Sequence, residues 1–373
     1  MEEILRLREA FHRHPELGNR EERTAAQIEA ALQSWGIETC RPFGTAVVGT
    51  LKGARSGKAV ALRADMDALP VQETTGCPFA SETAGQMHAC GHDVHMAAAL
   101  GAAKLLARER ESLCGTVKFF FQPDEEGSGG AQRMIAAGCM EGVDAVFGAH
   151  VAPDLPEGVI GIRFGKFYAA SDVFDLRVIG KSAHGAAPEQ GIDALAAAAE
   201  LVCRLKALPK GFPDERSVVT VGTLSAGTAR NILAGEAVMS GIMRTLGADT
   251  RAEMKRRLLA VCRQLERESG VSVETEIRGS YPGIVNEDGM TALARRAAEE
   301  RFGAARVRVI TEPTMTTEDF GYFLACAPGC FYHIGTGGEY PLHNSAFLPS
   351  AEAVRTATEM HLAVLRSYLG ENT

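Results

Sequence analysis

The feature that most constrains the fold is an alternation of strand-like and helix-like segments that is interrupted once. Short apolar runs such as 58–66 and 145–151 alternate with helical patterns such as 95–111. Parallel strands need long crossover connections, which are usually helices. The alternation therefore predicts an α/β domain with a mostly parallel, buried sheet.

The interruption begins near residue 171, where residues 173–181 alternate as a half-exposed strand does. A helix, two strands joined by a glycine-containing turn, a long amphipathic helix and a last strand follow. This β-α-β-β-α-β order is that of a ferredoxin-like unit, whose first and last strands share one sheet. Such a unit is easily inserted into another domain. We predict a two-domain α/β protein in which residues 1–170 and 284–373 form the catalytic domain and 171–283 the inserted domain.

Composition argues against two classes of partner. The chain has a net charge of −8 and no basic cluster, which disfavours nucleic acid. Its longest apolar runs fall short of the ~18 residues of a membrane span, so no membrane partner is expected. The nine cysteines are scattered and odd in number, and the first residues lack an apolar signal segment. These features predict a cytoplasmic protein with reduced cysteines.

The stretch MHACGHDVHM, residues 87–96, concentrates metal-binding side chains. Cys90 and His92 lie two residues apart on a glycine-containing loop, so both can face one ion, and zinc accepts both sulfur and imidazole nitrogen. The plainer alternative is a buried cysteine beside histidines that bind no metal. We interpret His95, at the start of the following helix, as a helix cap or a support for a ligand.

A second candidate segment is QPDEEGSGG, which follows the apolar strand that ends in FFF. Asp124, Glu125 and Glu126 place three carboxylates together, which is unfavourable without a cation or full solvation. Adjacent side chains at a strand end point to opposite sides. One glutamate can therefore bind a metal while the other faces the attacking water. A solvated acidic loop is the alternative.

Two distant histidines complete the candidate site. His150 ends a predicted strand, where α/β sheets bind ligands, and His343 lies in EYPLHNSAF near the end of the chain. Each alone has a structural interpretation. Together the nitrogen, sulfur and oxygen donors suit two ions that share a bridge, with Glu125 left as general base. The candidate ligands are Cys90, His92, Glu126, His150 and His343.

Ordered motifs along nearly the whole chain resemble the M20 family of metallopeptidases, specifically its amidohydrolase branch of aminoacylases, hippurate hydrolases and auxin-conjugate hydrolases. The motifs are HRHPELG, LRADMDALP, MHACGHDVH, FQPDEEGSGGA, GAHV, GKSAHGAAPEQGIDA, ARNILAGEA, MTTEDFGYF and LHNSAF. The resemblance implies the same five ligands for two divalent ions and Glu125 as the catalytic acid and base. Zinc or manganese is expected, and cobalt or nickel is compatible.

The resemblance also implies roles for residues of the inserted domain. His184 would donate a hydrogen bond to the oxyanion in a neighbouring subunit's active site, so the inserted domain would act as a lid and as the contact of a homodimer or higher oligomer. Arg244 would bind a substrate carboxylate, with Asn231 as a weaker candidate. Asp124 departs from the family's small residue. If its carboxylate points inward, it would raise the pKa of Glu125 or shift metal preference.

The sequence therefore predicts a binuclear metal-dependent amidohydrolase that cleaves N-acyl amino acids, with an N-acetyl, N-benzoyl or similar acyl group, to free acid and amino acid. Two related activities remain open, a di- or carboxypeptidase and a dedicated N-acetyl-diaminopimelate-type deacetylase. A non-catalytic metal-binding protein is the alternative from another functional class.

Overall fold

The structure is a computed structural model that describes residues 1–370. The chain divides into two compact units. Unit 1 contains Met1–Gly165, Val285–Thr311 and the described residues from Asp319 onward, and unit 2 contains Lys166–Ile284 and Glu312–Glu318. The predicted boundaries place residues 312–318 in the catalytic domain, whereas this short segment belongs to unit 2.

The helices and strands of the described chain have the following bounds. The α-helices are α1 (Glu2–Arg13), α2 (Glu22–Ser34), α3 (His92–Arg108), α4 (Ala131–Ala136), α5 (Ala194–Ala207), α6 (Ala248–Ser269), α7 (Asp288–Phe302), α8 (Gly321–Leu324) and α9 (Ala351–Leu369). The strands are β1 (Glu38–Cys40), β2 (Val47–Lys52), β3 (Arg55–Asp65), β4 (Cys114–Gln122), β5 (Ala145–Ala152), β6 (Ile160–Ile162), β7 (Gly165–Tyr168), β8 (Ala170–Ile179), β9 (Ser217–Ala226), β10 (Glu236–Thr245), β11 (Ser272–Gly279), β12 (Ile284–Asn286), β13 (Val307–Val309) and β14 (Gly329–Gly335).

Unit 1 is built on an eight-stranded sheet in the order β1-β2-β4-β3-β5-β14-β6-β13. The four central strands, β4, β3, β5 and β14, are parallel to one another. Strands β5 and β14 are almost completely buried, and β3 and β4 are buried toward their carboxyl ends, which explains the apolar sequences there. Helices α1, α3, α7 and α9 pack together and share the core with the sheet. The predicted α/β class with a mostly parallel sheet is confirmed.

The carboxyl ends of the parallel strands place polar residues at one edge of this sheet. Asp65 ends β3 and pairs in register with Gln122, which ends β4. His150 lies near the end of β5. Ligands of α/β sheets bind outside this edge, so the fold itself brings distant polar segments together.

Arg63, on β3, is fully buried among polar partners. Its guanidinium donates to Asp65 Oδ2 at 2.7 Å, to Asp319 Oδ1 at 2.9 Å and to Gln122 Oε1 at 2.9 Å. Asp65 and Asp319 are also fully buried. A buried ion network of this kind is costly to break, because the remaining charges lose their partner.

We expect Arg63→Met to lower the free energy of unfolding by about 3–5 kcal/mol, because it removes the cation that pairs with the buried carboxylates of Asp65 and Asp319. Urea unfolding followed by circular dichroism measures the change. Arg55→Met is the matched control, since Arg55 lies on the same strand but is exposed. A loss of less than about 1 kcal/mol, the usual size of an exposed ion pair, would contradict a structural role for the network.

Unit 2 is a four-stranded antiparallel sheet in the order β11-β8-β10-β9, and α5 and α6 share its core. Along the chain the elements follow the order β-α-β-β-α-β, so the predicted ferredoxin-like arrangement is confirmed. Inward-facing residues such as Phe174, Leu201, Met239 and Leu258 form a core separate from that of unit 1. Among residues 1–370, the structure contains no helix with the length and apolarity of a membrane span.

Candidate metal centre

His92 is held at the first position of α3 with one ring nitrogen facing inward. Gly91 precedes it with a φ of +83°, and a Cβ at Gly91 would lie 2.5 Å from the side chain of Val151, so glycine is required at this turn. Nδ1 of His92 donates to the backbone carbonyl of Asp67 at 2.8 Å. Nε2 is therefore left facing the other candidate ligands. The predicted helix start at residue 95 is three residues late.

Cys90 occupies the centre of the candidate site. Its Sγ lies 3.4 Å from Nε2 of His150 and 3.3 Å from Nε2 of His343. Two groups of donor atoms share this sulfur, and within each group the atoms lie no more than 4.8 Å apart. One group contains Cys90, His92 and His150, and the other contains Cys90, Glu126 and His343. The structure thus brings the five predicted ligands together around one sulfur.

The loop after β4 places both Glu125 and Glu126 close to His92. The backbone N–H of Glu126 donates to Asp67 Oδ2 at 2.9 Å, and Oε1 of Glu126 lies 3.2 Å from Nε2 of His343. The Glu125 carboxylate is buried, and one of its oxygens lies within 4.8 Å of a His92 nitrogen and a Glu126 oxygen. Glu125 is therefore adjacent to both donor groups without being a member of either.

The electrostatics of the cluster fit a pair of divalent cations. Nε2 of His92 is buried without a hydrogen-bond partner in residues 1–370, which is costly unless another group binds it. Burial and the carboxylates of Glu126 and Glu125 raise the pKa of the Cys90 thiol well above its usual range. A metal ion reverses that shift, because a coordinating thiol is deprotonated.

The pKa values of His92 and Glu126 also indicate that the site favours positive charge. Burial opposes protonation of His92, but the nearby carboxylates, Asp65 above all, outweigh it and raise its pKa to about 10. Burial opposes ionisation of Glu126, but His343 and His92 lower its pKa to about 2. The carboxylates of the site therefore attract protons onto its histidines, and bound cations would satisfy the same field. The donor set thus fits two divalent ions, while the role of each residue as a ligand stays a prediction.

His95 and His150 have different hydrogen-bonding roles. Nδ1 of His95 donates to Asp65 Oδ1 at 2.6 Å, and its Nε2 accepts from the Val151 N–H at 3.0 Å, so neither nitrogen is available to an ion. His150 donates from Nδ1 to the Val151 carbonyl at 2.8 Å and keeps Nε2 directed at Cys90. The interpretation of His95 as a supporting residue agrees with these contacts.

Asp124 serves its own loop rather than the metal centre. Its φ is +59°, a conformation that aspartate tolerates better than most residues. Its Oδ2 accepts from Ser128 and from Arg133, the latter at 3.2 Å. The hypothesis that Asp124 tunes Glu125 required an inward carboxylate, and these contacts give it a different task, which is to fold the turn that carries Glu125 and Glu126.

Asp65 and Asp67 are functional residues that the motif pattern alone does not predict. Asp67 orients both His92 and the Glu126 backbone, and Asp65 faces Nε2 of His92 at 3.6 Å. Hydrogen bonds of this type fix the orientation of metal ligands. The signal in the sequence is an Asp-x-Asp at the end of strand β3, in the motif LRADMDALP.

The candidate residues of unit 2 lie in two places. His184 and Asn231 are exposed neighbours, since residue 184 bridges to 232 and the Gly185 N–H donates to the Asn231 carbonyl at 2.8 Å. Arg244 lies near the other end of β10, roughly 25 Å along the strand from its first residue. Its Nη1 is buried without a hydrogen-bond partner in the described chain.

Comparisons with known proteins agree with this geometry. An N-acetyl-L-cysteine deacetylase of Bacillus subtilis is 37% identical over 361 residues, which cover 95% of this chain and 86% of the relative. An N-acyl-L-amino acid amidohydrolase of Geobacillus stearothermophilus is 40% identical over 309 residues, which cover 79% of this chain and 84% of that relative. A Bacillus subtilis crystal structure, described as a dinuclear metal binding peptidase from the M20 family, superimposes with a TM-score of 0.89 at 33% identity and covers 100% of this chain and 99% of that one.

A protein-family model matches residues 61–367, which include every candidate ligand and the whole of unit 2. The family resemblance drawn from the motifs is thereby confirmed. The chain belongs to peptidase family M20/M25/M40.

Proposed function

We propose that this chain hydrolyses the amide bond of N-acyl amino acids with two divalent metal ions. The observation that carries the proposal is the pair of donor groups that share Cys90, with the Glu125 carboxylate buried beside them. The names of its relatives, a deacetylase and an amidohydrolase of amino-acid derivatives, support the same reaction class.

The residues divide the reaction between them. Bound at Cys90, His92, Glu126, His150 and His343, two ions would polarise the scissile carbonyl and make water more acidic. Glu125 then takes a proton from the attacking water and returns it to the leaving amine, which needs a carboxylate within hydrogen-bond reach of both.

Arg244 is the proposed partner of the substrate carboxylate. Burial lowers the pKa of its guanidinium, and its buried Nη1 lacks a partner in residues 1–370. A carboxylate would satisfy both the charge and the donor, and guanidinium binds carboxylates in a two-pronged geometry. Asn231, an exposed residue on another part of unit 2, is proposed as an auxiliary contact together with His184.

His184 is proposed to stabilise the oxyanion in a neighbouring subunit, with unit 2 acting as a lid and as the dimer contact. Within unit 2, His184 pairs with Ile232, which precedes the start of β10, whereas Arg244 lies near the end of β10, and this separation supports different sites of action for the two. Strand β9 forms an edge of its sheet and carries the exposed Leu224, and such an edge pairs readily with a second chain. Sedimentation of the purified chain as a homodimer is expected.

The proposed ions are zinc or manganese. The Cys90 sulfur favours zinc, and cobalt or nickel would also be accepted by this mixed set. A cytoplasmic location is proposed as well. All nine cysteines are free in the structure, which agrees with a reducing compartment.

A panel of substrates tests the proposal. The metal-loaded chain should release amino acid from N-acetyl and N-benzoyl amino acids. The panel also contains a dipeptide and N-acetyl-diaminopimelate, because preference for either would favour the peptidase or the dedicated deacetylase. Absence of hydrolysis across the whole panel with both ions bound would overturn the proposal.

Arg244→Met extends the panel to the substrate carboxylate. The variant should lower kcat/KM by about 10–100-fold for N-acyl amino acids, in line with the loss of a charged hydrogen bond of about 1.5–3 kcal/mol. It should change little for the corresponding C-terminal amides. An equal loss for acids and amides would contradict carboxylate recognition by Arg244.

A further inference from the structure

A second cluster of metal-binding side chains lies in unit 1 and shares no residue with the Cys90 centre. It consists of His12, on α1, and Glu73 and Cys77, in the loop between β3 and α3. Nε2 of His12 lies 3.2 Å from Oε1 of Glu73, and Sγ of Cys77 lies 3.9 Å from the same oxygen. The three donor atoms lie within 4.8 Å of one another.

The ring of His12 is oriented from its far side. Nδ1 donates to Oδ2 of Asp93 at 2.8 Å, and the same oxygen accepts from Nε of Arg8 at 2.7 Å. A histidine that donates one nitrogen to a carboxylate and presents the other to an ion is the usual arrangement at protein metal sites. Nε2 of His12 is thereby aimed at Glu73 and Cys77.

Glu73 is fixed in the same way. Its Oε2 accepts from the Ser81 N–H at 2.6 Å, and its Oε1 accepts from the Thr75 hydroxyl. The side chains of His12 and Glu73 are almost fully buried, whereas Cys77 is partly exposed. The cluster is therefore preorganised at its nitrogen and oxygen and open to solvent on the side of its sulfur.

We propose that His12, Glu73 and Cys77 bind a third divalent ion of the zinc class, separate from the catalytic pair. In a tetrahedral zinc site with bonds of about 2.0 Å to nitrogen and oxygen and about 2.3 Å to sulfur, these atoms lie about 3.3–3.5 Å apart. The observed distances from Glu73 Oε1 are 3.2 Å to His12 Nε2 and 3.9 Å to Cys77 Sγ, and all three donor atoms lie within 4.8 Å of one another. Binding releases the thiol proton, and any proton on Nε2, to solvent, and water fills the fourth position.

The ion would join two distant parts of the chain. His12 belongs to the amino-terminal helix, and the other two donors belong to a loop that begins much later in the sequence. Glu73 follows His12 by 61 residues. A metal that binds only the folded arrangement stabilises it by mass action. Zinc should therefore raise the melting temperature through this site independently of catalysis.

Metal counting on the full chain tests the proposal. After equilibration with zinc and removal of free metal, the wild-type chain should retain one more ion than Cys77→Ser, measured by elemental analysis. Cys203→Ser is the matched control, since Cys203 is an exposed cysteine of unit 2, and it should retain the wild-type number. The result is a difference between variants, so it does not depend on the catalytic ligand assignments or on turnover.

Thiol alkylation gives an independent measurement at the site itself. Zinc should slow the reaction of Cys77 with iodoacetamide at least tenfold, as read by peptide mass spectrometry, and leave the exposed Cys203 and Cys326 unaffected. Glu73→Gln should remove that protection. Equal metal content in the wild-type chain and Cys77→Ser, or unprotected Cys77 in the presence of zinc, would overturn the third site and leave a hydrogen-bonded network of His12 and Glu73.

Discussion

Glu125→Gln should retain both proposed metal ions and lose turnover by about 10²–10⁴-fold, the usual contribution of a general acid–base residue. The amide keeps the size and polarity of the carboxylate but cannot accept the proton of the attacking water. Glu125 belongs to neither donor group that shares Cys90, so its replacement removes no proposed ligand. Steady-state kinetics with an N-acetyl amino acid and elemental analysis of the same preparation measure the two effects.

The control for this variant is Glu111→Gln, which makes the same chemical change at an exposed residue. It should match the wild-type chain in both measurements. If Glu125→Gln keeps more than about a tenth of the wild-type kcat, Glu125 is not the general base. If it instead loses an ion, Glu125 acts as a ligand, and the proposed division of labour between the two glutamates is wrong.

Much of the fold could be predicted because its signals are local. The interruption of the strand–helix alternation near residue 171 indicated a separate unit, and the β-α-β-β-α-β order of that unit follows from the periodicity of its segments. Helix ends were less certain. The start of α3 depends on Gly91, whose positive φ and close approach to Val151 are not visible in the apolar pattern that follows.

The candidate ligands could be predicted because each is a metal-binding residue type at a strand or helix end. The residues that orient them could not, since their partners are distant in sequence. Arg63 contacts Asp319 across 256 positions, and Asp93 contacts Arg8 across 85. Only the fold brings such pairs together. A charged residue within an apolar strand indicates that a partner exists, but it does not identify the partner.

Asp124 illustrates the limit of reasoning from charge alone. A third carboxylate beside Glu125 and Glu126 suggested an electrostatic effect on catalysis. The side chain instead accepts hydrogen bonds from Ser128 and Arg133 within and just after the loop. Its direction is set by a backbone φ of +59°, a quantity that residue type constrains only weakly.

Glu126→Ala should lower the bound metal from two ions toward one and reduce kcat/KM at least about 10²-fold, since loss of mere supporting residues already costs 10–100-fold at metal sites. The Glu126 carboxylate is the oxygen donor of one of the two groups that share Cys90, and its Oε1 is 3.2 Å from His343 and 4.0 Å from His92. Elemental analysis after equilibration with zinc measures the first effect.

Thermal unfolding separates loss of a ligand from damage to the fold. Metal binding to the folded chain raises its melting temperature, and the size of that rise reports the affinity within each variant. Glu126→Ala should show a smaller metal-induced rise than the wild-type chain, whereas Glu111→Ala, an exposed control, should show the same rise. Because each variant is compared with its own chelated form, a general loss of stability cancels. An unchanged metal content and an unchanged rise in Glu126→Ala would remove Glu126 from the ligand set and, with it, the case for a second ion.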